Sequence, residues 1–154
     1  MTLKERIEDD YKKYFKERND IAVSTLRMLK AAVKRAEINK RKDFDDNEVL
    51  DVVLREVKQR NDSIEAFKKG NRNDLVSKEE AEIKVLEDYL PARLSEEELR
   101  DIIQEMIKIA KANSKKDFGK VMGLVIAKTK GQADGKLVSQ IVGQELEKLT
   151  PTPK

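Results

Sequence analysis

The 154-residue chain contains no cysteine and no histidine. Without cysteine there can be no disulfide, thiolate metal site or cysteine nucleophile, and a reducing compartment suits it best. Without histidine the commonest general base and transition-metal ligand are gone, and no Ser-His or Cys-His triad can be built. Glycine occurs six times and proline three times, with Pro151 and Pro153 both in the extreme C-terminal segment TPTPK. No apolar run approaches the roughly 18 residues of a membrane span. The opening stretch MTLKERIEDDYKKYF carries acids throughout and has no apolar core, unlike a secretory signal. These absences lead to the expectation of a cytoplasmic protein without a membrane segment.

What is present is charge, 41% of the residues, arranged around apolar positions at helical spacing. No strand-like alternation of any length occurs, so the expected fold is all-α. Helix starts are marked by pairs with capping-box spacing: Thr2 with Glu5, Asp45 with Glu48, Ser77 with Glu80, and Ser95 with Glu98. Helices are expected near 3–18, 20–41, 46–69, 78–90, 96–113, 118–130 and 135–149. The second carries Ala22, Leu26, Leu29, Val33 and Ala36; the third carries Leu50, Val53, Val57, Ile64 and Phe67. Seams this narrow suit long helices packed nearly antiparallel, and the short connector from Lys42 to Asp45 suits a helical hairpin. The first and fourth helices would cover that pair.

The third seam has a gap at Arg60. Either its stem lies along the seam with the head at the edge, or the guanidinium is buried and paired. Candidate partners are Glu79, Glu80, Glu82 and Glu87. Pro91 disfavours helix at Leu90 and marks a boundary, with Leu90 and Leu94 as possible anchors of the turn. The domains expected are therefore an N-terminal helical bundle at 1–91, a small three-helix domain at 92–150 and a frayed tail at 151–154.

Charge is uneven between these parts. Residues 1–91 balance 21 Lys and Arg with 21 Asp and Glu, whereas residues 92–154 hold 12 against 9. From Lys108 to Lys136, eight lysines face only Asp117 and Asp134. Such asymmetry favours a polyanionic partner, although a lysine-rich solvated face would read the same way. One part of this stretch is the connector KTKGQADGK, Lys128 to Lys136, with three lysines, two glycines and one aspartate. Gly131 suits the left-handed residue after a helix end. Lys128 and Lys130 complement the last carbonyls of that helix, and Asp134 can cap the next. Lys136 falls in a first helical turn, where the dipole disfavours a cation but where a bound phosphate would welcome one. Lys115, Lys116 and Lys120 repeat this arrangement at the preceding helix start.

The segment DFGKVMGLVIAKTKGQADGKLVSQIV resembles the C-terminal tail domain shared by the B subunit of tRNA-dependent amidotransferase (GatB) and the small YqeY proteins. The core of the likeness is MG, seven residues, then G-x-A-D. The stretch VKQRNDSIEAFKKGNRNDLVSKEEAEIKVLEDYLP is similar to the matching part of YqeY proteins, and the resemblance extends over roughly residues 2–149. It implies an all-α fold with an N-terminal bundle and a three-helix tail. It also implies a link to the formation of glutamine- or asparagine-charged tRNA, in which the tail helps hold the tRNA and the chemistry lies elsewhere. Gly135 departs from the amidotransferase pattern, which usually has proline there; proline is preorganised for a helix start and glycine is not, which implies a looser hinge.

No catalytic motif accompanies this resemblance. The six serines are scattered, with no glycine- and serine-rich stretch of the amidase kind. KKGNRND lacks the spacing of a phosphate loop and reads as a helix end followed by a polar turn. DFDDNEVLD lacks the turn glycine and final glutamate of a calcium loop and reads as a capped helix start. The expectation is thus a non-catalytic module binding tRNA or another RNA through Lys115, Lys116, Lys120, Lys128, Lys130 and Lys136, with Gly131, Asp134 and Gly135 as a structural hinge. No metal and no cofactor is expected. The alternatives are an adaptor that docks an aminoacyl-tRNA synthetase or amidotransferase, or a carbon–nitrogen ligase using glutamine as amide donor.

Overall fold

The computed structural model describes residues 1–149; the expected frayed tail and Thr150 lie outside them. The described residues form seven α-helices and no strand: α1 Leu3–Lys16, α2 Asp20–Lys40, α3 Asp46–Lys69, α4 Asn73–Glu87, α5 Glu96–Ala110, α6 Phe118–Lys128 and α7 Gly135–Leu149. A short 3₁₀ turn, Lys115–Asp117, leads into α6. The fold is all-α, as expected. Backbone packing separates an N-terminal unit, Met1–Leu90, from a C-terminal unit that begins at Pro91.

In the N-terminal unit, Thr2 and Asp45 form complete capping boxes with Glu5 and Glu48, and α2 is capped by Asn19, which accepts from the Ala22 N–H. The expected α2–α3 hairpin forms, but α3 packs most extensively on α4, and α1 on α2. The buried stripe of α3 is also wider than a narrow seam: Val49, Val52, Val53, Glu56, Arg60 and Ile64. Two apolar clusters result. The larger gathers Ile7, Leu26, Leu29, Val33, Val49, Val53 and Leu86; the smaller holds Ile64, Val76 and Ile83.

The fourth helix departs from the expected 78–90. It starts at Asn73, so Ser77 and Glu80 lie inside it rather than at a cap. Asn71 takes φ 55° and reverses the chain directly after α3, and the early start buries Val76 against Ile64 and Ile83. Burial outweighed the local capping signal. α4 also stops at Glu87, ahead of Leu90.

In the C-terminal unit, Ser95 accepts from the Glu98 N–H and opens α5. A single core joins Leu99, Ile103, Met106 and Ile107 of α5 with Val121 and Val125 of α6 and Val138, Ile141, Val142 and Leu146 of α7. α5 ends at Ala110, short of residue 113, because Lys111 turns to φ 54°. The two candidate anchors of the boundary turn separate: Leu90 packs on the N-terminal core and Leu94 on the C-terminal one.

Candidate nucleic-acid interface

The basic hinge between α6 and α7 is a built turn. Val125 and Thr129 make its first half: the Thr129 hydroxyl is buried and donates to the Val125 carbonyl at 2.8 Å. Thr129, whose N–H donates to the same carbonyl at 2.9 Å, is the C-cap of α6, which ends at Lys128, two residues before the expected end. The Gln132 N–H then donates to the Thr129 carbonyl at 2.8 Å, and Gly131 takes φ 76° to allow it. A side chain there would meet the left-handed penalty, so glycine is favoured. The Gln132 carbonyl accepts from the Leu94 N–H at 2.9 Å, and its side-chain amide donates to the Ala92 carbonyl at 3.3 Å. The entry segment of the unit therefore pins the hinge. Asp134 accepts from the Lys136 N–H at 3.2 Å, so α7 begins at Gly135 although no proline stands there. At the position where the amidotransferase pattern has proline, side-chain capping by Asp134 and the Gln132 bonds hold the turn in this structure.

The six candidate lysines fall into two groups. Lys115, Lys116 and Lys120 lie at the start of α6. Lys128, Lys130 and Lys136 lie at its end, with α6, eleven residues long, spanning roughly 15 Å between them. The first group is partly occupied: the Lys120 ammonium donates to the Ala110 carbonyl at 3.2 Å and closes the end of α5, and Lys115 approaches Glu147 at 3.6 Å. In the second group Lys128 and Lys136 are exposed and Lys130 is half-buried. Within the helices themselves the first turns of α6 and α7 contain no acid, and the carboxylates at these starts are the preceding Asp117 and Asp134, the latter bound to the Lys136 N–H. This arrangement can hold anionic oxygens at two places about one short helix apart. No group of three metal-ligating side chains lies together among the described residues.

Arg60 is placed at the centre of the α3 stripe, 5% exposed, and is no edge residue. Its Nε donates to Glu82 at 3.1 Å, and its Nη1 donates to the Glu56 carboxylate at 3.4 Å and the Glu56 carbonyl at 3.1 Å. Of the four acids expected as candidate partners, only Glu82 reaches it; the other partner is Glu56, one turn away on the same helix. Burial and the charge of Glu82 raise the nearby Glu79 above the ordinary carboxylate range.

Sequence reasoning also missed Glu145. It is buried in α7 and accepts from Arg100 at 2.7 Å, Lys148 at 3.1 Å and Gln104 at 3.3 Å. Burial pushes its pKa up, but these hydrogen bonds outweigh burial and hold it below the usual range. The signal available was spacing: Glu145 continues the apolar stripe of Val138, Ile141 and Val142.

The profile of the Yqey-like protein family matches residues 4–146. The chain is 33% identical over 127 residues to altered inheritance of mitochondria protein 41, mitochondrial, of Kluyveromyces lactis, covering 80% of this chain and 69% of that one. It is 39% identical over 85 residues to the protein of that name from Lachancea thermotolerans, which covers 54% of this chain but only 46% of the relative. It is also 33% identical over 90 residues, 56% of the chain, to a segment making up 14% of the E subunit of glutamyl-tRNA(Gln) amidotransferase from Thermococcus gammatolerans.

Proposed function

The chain belongs to the Yqey-like protein family, and from that premise we propose that it is a non-catalytic helical module that binds RNA, with tRNA as its ligand. The observation that carries this reading is the pair of lysine groups at the two ends of α6, where six lysines outnumber Asp117 and Asp134. Lys128, Lys130 and Lys136 hold one stretch of phosphates, and Lys115, Lys116 and Lys120 a second. Similarity to an amidotransferase subunit named for glutamyl-tRNA(Gln) supports tRNA as the ligand class. The protein would act as a holder of RNA beside enzymes that do the chemistry. Among the described residues no helix is long and apolar enough to cross a membrane. We place the protein in the cytoplasm; its fungal relatives are named as mitochondrial.

Fluorescence anisotropy with labelled total tRNA at two salt concentrations tests this. Six phosphate contacts would lose about 10³-fold in affinity between roughly 50 and 200 mM salt. Replacing Lys128, Lys130 and Lys136 by Glu should abolish most of the binding at low salt. Binding that ignores both salt and the triple substitution would overturn the reading. The exposed Ile109, Phe118 and Ile126 of the C-terminal unit favour a second reading, an adaptor that docks a synthetase or amidotransferase. Partners retained in a pull-down after nuclease treatment would support it.

A further inference from the structure

The even charge balance of the N-terminal unit conceals a concentration. From Lys12 to Lys42, eleven Lys and Arg face only Glu17, Asp20 and Glu37, a larger excess than in the basic hinge. α1 and α2 bring part of this stretch onto one face. Three contacts fix their register: Lys30 meets Glu8 at 2.6 Å, Arg27 reaches the Tyr11 hydroxyl at 3.4 Å, and Lys4 meets Glu37 at 2.6 Å. Tyr11, Lys12, Phe15 and Lys16, at helical spacing, thus share the edge of α1 that adjoins Arg27 and Lys30.

Within this face the aromatic pair is unusual. The rings of Tyr11 and Phe15 stand 6.3 Å apart at 35°, and the Lys30 ammonium sits 4.3 Å over the Tyr11 ring. Phe15 is 61% exposed, more than any other aromatic side chain among the described residues. A phenyl ring left in water forgoes the burial that normally places it inside. Besides Tyr11, the residues that share its edge of α1 are the cations Lys12 and Lys16.

We propose that this α1–α2 face binds single-stranded RNA. Phe15 and Tyr11 offer a stacking platform for unpaired bases, with Lys30 fixing the tyrosine ring. Lys12, Lys16 and Arg27 meet the phosphates on either side. Aromatic platforms amid cations are how unpaired strands are held with little regard to sequence, whereas bases inside a duplex are not free to stack. This surface uses none of the residues of the basic hinge, so either site can fail alone.

The test uses the full chain and a fluorescein-labelled 12-nucleotide oligo(U) at low salt, with inorganic polyphosphate as a probe that lacks bases. Phe15→Ala should weaken oligo(U) binding at least about fivefold, the low end of one base–aromatic stack, while Phe15→Tyr keeps it. The Lys128, Lys130 and Lys136 to Glu variant should bind oligo(U) like the parent. The chain has no tryptophan, so tyrosine emission is visible and should be quenched by oligo(U) but not by polyphosphate. Equal binding by Phe15→Ala and the parent would overturn the proposal. So would loss of oligo(U) binding only in the hinge variant, or no binding at low salt. Phe15 lies outside the core, and a matching circular dichroism melt verifies that its replacement leaves the fold intact.

Discussion

In the N-terminal unit the buried Arg60 lies between the carboxylates of Glu56 and Glu82; in the C-terminal unit the buried Glu145 lies between the cations of Arg100 and Lys148. The two arrangements are opposite in sign and also in depth. Glu56 and Glu82 are as inaccessible as the arginine they hold. Lys148 is 64% exposed and Arg100 29%, so Glu145 is buried while its partners reach water. A buried charge whose partners are also buried forms a closed layer, and here Val57 of the same helix packs against both apolar clusters of the N-terminal unit. A buried charge with solvated partners is a rim contact and leaves the core beneath it continuous. The same ion-pair chemistry therefore carries different costs in the two units.

The sharpest way to break this comparison is Arg60→Met. It strands two carboxylates together in a closed layer and should cost about 3–5 kcal/mol of stability at pH 7. Denaturant unfolding measures it, and the deficit should shrink in acid as the stranded carboxylates take up protons. A cost below about 1 kcal/mol would show that water reaches the layer. Glu145→Gln should cost less, about 1 kcal/mol, because Arg100 and Lys148 turn to solvent. The sign of its pH dependence follows from the lowered pKa of Glu145. Its contribution is full above the ordinary carboxylate range and is lost as pH falls through the depressed value. Parent and variant should therefore converge in acid melts. The smallest effect is a gain. Glu79 has a raised pKa, so its charged form weakens the folded state as pH rises past the ordinary range. Glu79→Gln should raise stability at pH 7 by roughly a few tenths of a kcal/mol, and the gain should vanish near pH 4.

Much of this fold was legible because the helix starts advertise themselves. Thr2, Asp45 and Ser95 cap where their spacing says they should. Helix ends were less legible. Sequence reasoning looks for glycine, yet Arg18, Arg41, Asn71 and Lys111 take the left-handed turn, while Gly70 sits at an ordinary φ of −89°. Each such L-residue costs about 1–2 kcal/mol, which packing on either side must outweigh, and packing is not written locally. The basic hinge was found from composition, with Gly131 and Asp134 in the turn. What fixes it, Thr129 and Gln132, was hidden because both act through backbone bonds. The α1–α2 face was missed for a different reason: summing charge over residues 1–91 cancelled it against the acids of α3 and α4.

The Arg60 layer also counts turns. Stripes of Val, Leu and Ile look alike after a slide of one helical turn, so apolar packing alone would let α4 settle on α3 in neighbouring registers. The guanidinium does not tolerate that. A slide one way would set Leu86 against it and leave it without its partner on α4; a slide the other way would bring Lys78 alongside, cation against cation. One residue that interrupts a hydrophobic stripe thereby gives a repetitive hairpin a single alignment.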